Sequence, residues 1–286
     1  MTGPVLLHSL DGFVDAGSTG QLVREHLLEA LEHRVVARFD VDSLIDYRAR
    51  RPSMTFDRDH WASYEAPELV VRLVRDEAAS PFLFLSGPEP DRLWEGFTAS
   101  VLHLVERLGV GLVVGFHGIP MGVPHTRPVG MTSHATRPEL VTRNSWFDKV
   151  QVPGSAAGLL ELRLGEAGHD ALGLAVHVPH YLAQSAYPAA AVAALEAIVD
   201  ATGLELPDER LREAAARTDA DIAEQVDGND EVEKVVRALE QQYDAFAGAA
   251  ERDSLLAESQ DMPTAEELGA QFERFLAEQD GPEQPG

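Results

Sequence analysis

Short apolar runs alternate with stretches of helical period along roughly the first 200 residues, the spacing expected of strands and helices in turn. Val5-Leu6-Leu7, closed by the turn dipeptide Asp11-Gly12, predicts a buried strand. From Asp15 to about His33, Leu22, Val23, Leu27, Leu28 and Leu31 fall on one helical face, and Asp15 is placed to cap that helix by accepting a first-turn N–H. Further strands are predicted at 35–39, 69–74, 82–85 and 110–116, with a helix at 91–108 carrying Leu93, Trp94, Phe97, Val101, Leu104, Val105 and Leu108. The middle of the chain predicts strands at 129–134, 149–152 and 171–178 and helices at 155–167 and 189–202. Strand, helix and strand at this spacing define the βαβ unit, so the expected fold is α/β, a mainly parallel sheet of at least five strands flanked by helices.

After Gly203 the strand-like runs stop. Ala, Glu, Gln, Leu and Arg dominate, and helices are predicted at 208–226, 230–247 and 264–279, the last opening with Thr264 and Glu267 at capping-box spacing. The organisation is therefore an α/β domain over 1–203 and an acidic helical region over 204–286, with a frayed tail from Gln279.

Charge sharpens that boundary. The 286 residues carry a formal charge of −25: residues 1–203 hold 16 basic and 25 acidic groups, residues 204–286 hold 7 basic and 23 acidic. So acidic a chain has no surplus of cations to displace counterions from nucleic acid, nor to bind an anionic membrane surface. The lack of any cysteine excludes disulfides, thiolate metal sites and thiol nucleophiles. No run of 18 uninterrupted apolar residues and no signal-peptide pattern occur, so a cytoplasmic chain without a membrane span is expected.

Candidate chemistry gathers in three loops that follow strands, because the strand C-termini of a parallel sheet share one edge. The first contributes Asp11, Gly12 and Asp15, in a glycine-rich turn able to aim N–H groups at an anion or simply to make a tight turn and a cap. The second contributes Glu89, beside Asp91, either an acid–base group or a helix cap. The third, stiffened by Pro120, Pro124 and Pro128, presents His117, His125, Thr126 and Arg127. Arg127 is either the bidentate ligand of a small anion or a pin bonded to backbone carbonyls. His177 and His180 diverge at a strand end, no HExxH or Gly-x-Ser-x-Gly occurs, and no catalytic residue, metal or cofactor is assigned.

Several segments together resemble the bacterial branch of the proteasome assembly chaperone 2 family. They are Gly12 to Gly17, Asp42 to Pro52, Leu85 to Pro90 with Trp94 and Phe97, Gly118-Ile-Pro with Pro124 to Pro128, Val152 to Ser155, and His177 to Leu182 with Tyr187-Pro188. The resemblance spans roughly residues 3–203 and implies an α/β sheet domain similar to nucleoside phosphorylases and hydrolases, often oligomeric, with no settled activity among bacterial members. Members that dock on the proteasome core resemble one another in a hydrophobic–Tyr–any ending. This chain ends Glu283-Gln-Pro-Gly286, so a chaperone role is expected to use another surface. Two readings follow: a non-catalytic interaction protein with a protein partner or self-association through its acidic helices, or a binder, hydrolase or transferase of a small anion or nucleoside at the strand-end loops.

Overall fold

The computed structural model describes residues 3–141, 149–227 and 230–255. Its strands are β1 (Val5–Asp11), β2 (His33–Arg38), β3 (Met54–Asp57), β4 (His60–Tyr64), β5 (Val70–Arg75), β6 (Pro81–Pro88), β7 (Leu112–Met121), β8 (Met131–Ala135) and β9 (Ala171–Pro179). Its helices are α1 (Thr19–Ala30), α2 (Val41–Leu44), α3 (Trp94–Leu108), α4 (Ala156–Glu166), α5 (Pro188–Thr202), α6 (Glu209–Asp227) and α7 (Asp230–Leu255).

The most apolar runs become the middle of the sheet, where both faces are covered. Strand order is β2-β5-β6-β1-β7-β9-β8; the four central strands β6, β1, β7 and β9 pair in parallel, while β5 and β8 run against their neighbours and β2 runs against β5. The sheet is thus α/β and mainly parallel, as expected. The helix α1 leads from central β1 to the edge strand β2, so that first unit is not a parallel pair of neighbours.

Alternation along the strands divides the core in two. On one face Leu7, Phe84, Val114, Leu174 and Val176 pack under α1 and α5, with Val23, Leu27, Leu195 and Ile198 facing them. On the other, Leu6, Leu83, Leu85 and Val113 pack under α3 and α4, against Phe97, Val101, Val105, Leu160 and Leu164. Each such burial stabilises the fold by about 1.5–3 kcal/mol relative to exposure. The helix α6 extends the first face through Leu211 and Ile222, and the described residues beyond 208 are helical without strands.

Three expectations are corrected or lie elsewhere. Residues 149–152 form no strand: the edge position beside β9 is taken by β8, and Val150 and Val152 are 55% and 70% exposed in extended chain leading to α4. The first long helix starts later than its periodicity suggests, because Gly17 (φ 67°) and Ser18 (φ 51°) turn left-handed and α1 begins only at Thr19. The helix over 264–279 lies outside the described residues. The hairpin of β3 and β4 has no apolar run to announce it.

One close approach fixes how β7 meets the β1–α1 turn. A Cβ on Gly118 would lie 2.0 Å from the Ala16 carbonyl oxygen, and that oxygen belongs to backbone that cannot swing aside. Gly118→Ala is therefore expected to destabilise the fold by about 1–3 kcal/mol, read in a urea melt, whereas Gly122→Ala, with nothing within 4 Å of its Cβ, is expected to be near neutral.

Candidate functional site

The first loop is held by one carboxylate. Asp15 accepts the N–H groups of Gly20 (2.8 Å) and Gln21 (3.1 Å), two of the unpaired donors opening α1, and that of Gly118 in β7 (3.0 Å). The capping role expected of Asp15 is what the structure shows, with a cross-sheet bond added. Both Asp15 carboxylate oxygens thus accept N–H bonds, and at His117, whose pKa burial lowers, the nearby Asp15 acts in the opposite direction.

Asp11, Gly12 and Glu89 meet around a residue the sequence reading overlooked, Arg50. Its guanidinium donates to the Asp11 and Glu89 carbonyl oxygens and to the Asp91 carboxylate. Gly12 holds φ 129°, a conformation that residues with a Cβ rarely adopt, and a Cβ there would also lie 2.5 Å from the Arg50 Nη1. Asp11 pairs with Arg24. Glu89 is buried at the start of α4 and accepts the Ala156 N–H at 2.6 Å; desolvation pushes its pKa up, against that bond and the Arg50 charge. Beside this clamp an open cavity of about 290 Å³ is lined by Ile45, Arg50, Pro52, Glu65, Pro67 and Pro88.

The third loop turns elsewhere. The His125 ring lies 2.8 Å from the Tyr181 hydroxyl. Thr126 donates to Glu240, and Arg127 forks onto Asp244 through Nε (2.8 Å) and Nη2 (2.7 Å) while Nη1 reaches Glu240 at 3.2 Å. Arg127 is thus not bonded chiefly to carbonyls: its main acceptors are carboxylates of α7, with a longer contact to the Thr126 carbonyl oxygen at 3.4 Å. Among the described residues no hydrogen bond or ion pair joins this group to the Arg50 cluster.

A fourth group also forms, of which the sequence singled out His117 and His177 but not His8 or the glycines beside it. Across the sheet, His8 of β1 is level with Gly115 of β7, which is level with Gly173 of β9 and then His134 of β8. The two rings lie over the two glycines, where a Cβ would stand 2.4 Å from His8 and 2.0 Å from His134. The His8 ring, on a residue 7% exposed, makes no hydrogen bond among the described residues, and burial lowers its pKa to about 4, helped by the charges of His117 and His134. Burial also lowers His117, and lowers His177 to about 4, whereas the bond to Glu161 at 2.8 Å raises His134. The signal in the sequence was the polar pair His8-Ser9 inside an apolar strand. Among the described residues no three His, Asp or Glu side chains are grouped to hold a metal ion.

This architecture has clear relatives. The PAC2 family model matches residues 9–226, and the chain belongs to that family. It is 50% identical to the Mycobacterium tuberculosis protein of unknown function Rv2714, covering 90% of this chain and 87% of that one with a TM-score of 0.84. It is 28% identical to a PAC2 family protein of Streptomyces avermitilis (82% and 99% covered, TM-score 0.71). The M. tuberculosis proteasome-assembly chaperone homologue Rv2125, 23% identical, shares the fold (81% and 99% covered, TM-score 0.74). No curated protein sequence matches the chain.

The buried histidines give a pH dependence. A histidine whose folded pKa is about 4 binds fewer protons folded than unfolded between pH 6.5 and 4. Stability is therefore lost as pH falls through that window, by about 1.4 kcal/mol per pH unit for each such residue. His134, raised by Glu161, acts oppositely and loses its contribution as pH rises through its own titration. In His8→Asn the stability difference between pH 7 and pH 5 is expected to shrink by about 1–2 kcal/mol, measured by urea melts at both values; an unchanged difference would contradict a buried neutral His8.

Proposed function

We propose that the protein is a non-catalytic, cytoplasmic interaction protein of the assembly-chaperone type, and that the β3–β4 hairpin is its principal contact with a protein partner. The observation that carries this reading is the hairpin's surface. Every residue of both strands is exposed, among them Met54 and Tyr64 at 50%, Phe56 at 54% and Trp61 at 63%. Met54 is opposite Tyr64 and Phe56 opposite Trp61, and the register shift between Thr55 and Phe56 lets both pairs share one face despite their odd spacing. Phe56 and Trp61 stack edge to face with centroids 5.1 Å apart.

An isolated two-stranded hairpin is marginal in water, and aromatic side chains are the residues enriched at interface centres. The Arg50 clamp anchors the chain entering the hairpin. Membership of the PAC2 family supports the reading, as does the likeness to Rv2125, a proteasome-assembly chaperone homologue. The small-ligand alternative has less support, since Arg127 is occupied by Asp244 and Glu240 and neither of the two cavities described here is lined by a residue predicted for the site. The second cavity, about 210 Å³, lies instead between β8, β9 and α5.

The test is a double variant, Phe56→Ala with Trp61→Ala. Because both rings are exposed, its melting temperature is expected to stay within about 2 °C of wild type. Partners cross-linked to the wild-type chain in cells are expected to fall at least tenfold in the variant, quantified by mass spectrometry. Equal recovery from both chains would remove the hairpin as the contact.

A further inference from the structure

The loop carrying His125, Thr126 and Arg127 is a built binding surface whose occupant is visible: α7 of the same chain. Arg127 holds Asp244 through two parallel N–H bonds and Glu240 through a third, and the Thr126 hydroxyl donates to Glu240. One turn away Tyr243 donates to the Pro128 carbonyl oxygen at 3.4 Å. On the same side of the helix Val236 and Leu239 are buried, while Val235, one residue away, is exposed. Positions 236, 239, 240, 243 and 244 follow the i, i+3, i+4, i+7, i+8 pattern of a helix laid into a groove, with carboxylates four residues apart beside an apolar stripe.

The receptor side is rigid, and the ion pairs that hold the helix are exposed, leaving Val236 and Leu239 as its buried hold. Pro120, Pro124 and Pro128 fix the loop backbone, and His125 is fastened to Tyr181 through both its ring and its N–H. The clasp, however, is partly exposed: Arg127 is 30% accessible and Asp244 54%, so its ion pairs contribute little against water. A weak clasp on a strongly patterned helix is an exchangeable contact, and every other copy of the chain carries the one helix already shown to fit.

We propose that this loop is a receptor for an acidic amphipathic helix, filled in cis by α7, and that two copies of the chain associate by exchanging α7, each helix forking onto the partner copy's Arg127. Because the cis helix competes at the high effective concentration of a tethered segment, exchange is favoured when the cis contact is weakened. Such a swap creates no new type of contact, the reason exchanges of this kind have a low free-energy cost. The inference uses different residues from the hairpin and does not depend on the hairpin's role.

Two full-length variants test it by complementation. Arg127→Gln keeps the helix and loses the receptor; Glu240→Gln with Asp244→Asn keeps the receptor and loses the helix. As the natural chain has no cysteine, Q242C in the first and G122C in the second each accept a single dye. Energy transfer is expected in the mixture, at least tenfold above that of two Arg127→Gln chains carrying the same dyes, and an excess of unlabelled peptide 230–255 is expected to abolish it. By anisotropy the dye-labelled peptide is expected to bind the Glu240→Gln, Asp244→Asn chain at least tenfold more tightly than wild type, and Arg127→Gln not at all. Equal peptide affinity for the two Arg127-containing chains would overturn the receptor. Peptide binding without transfer between chains would overturn the second copy as its occupant.

Discussion

The Asp15 carboxylate is the interaction on which the strand ends of this protein depend. The turn after β1 makes Gly17 and Ser18 left-handed and delays α1, leaving helix-opening N–H groups and the Gly118 N–H of β7 facing the same place. One side chain satisfies three of these donors. A buried unpaired N–H costs about 1–3 kcal/mol, so without Asp15 both the turn and its docking on β7 would weaken. The same turn extends to the end of β9, where Gly17 donates to the Ala183 carbonyl and accepts from the Tyr187 N–H. Three chain segments far apart in sequence are thereby tied at one edge of the sheet.

With that edge fixed, the polar groups around it separate by what each can reach. Arg50 gathers the ends of β1 and β6 and anchors the chain leading into the hairpin. The proline-stiffened loop after β7 carries Arg127 to α7. The rings of His8 in β1 and His134 in β8 lie over glycines of β7 and β9 that make room for them, and His134 bonds Glu161 of α4. Most of these interactions fasten one segment of the chain to another, which fits a protein that presents surfaces to partners and whose exposed aromatic residues project on a hairpin.

Much of the fold was legible because periodicity reports burial. The strand 171–179 is buried at every position, and Val101 and Val105 mark the inner face of α3 at helical spacing. Legibility failed where a local pattern had no partner. Val150 and Val152 alternate like a strand, yet β8 holds the edge they would need. The hairpin escaped notice because period-2 alternation of buried residues cannot mark strands that are exposed on both faces. The site was legible only by residue type. Asp15, Glu89 and Arg127 are polar groups at strand ends, but their partners Gly118, Ala156 and Asp244 lie 103, 67 and 117 residues away.

By itself, the sequence determined most of the strands and helices of the sheet domain, their α/β class, the acidic composition after Gly203, and the resemblance that the PAC2 match bears out. These follow from side-chain period and composition, which act over a few residues. Only the tertiary structure decided the strand order, the edge placement of β2, the role of Asp15 as a knot and the pairing of Arg127 with Asp244 and Glu240. The physical reason is that a charged side chain in a folded protein takes whichever counter-charge packing brings within about 3 Å. Which one arrives depends on long-range chain closure, and a linear sequence does not display it.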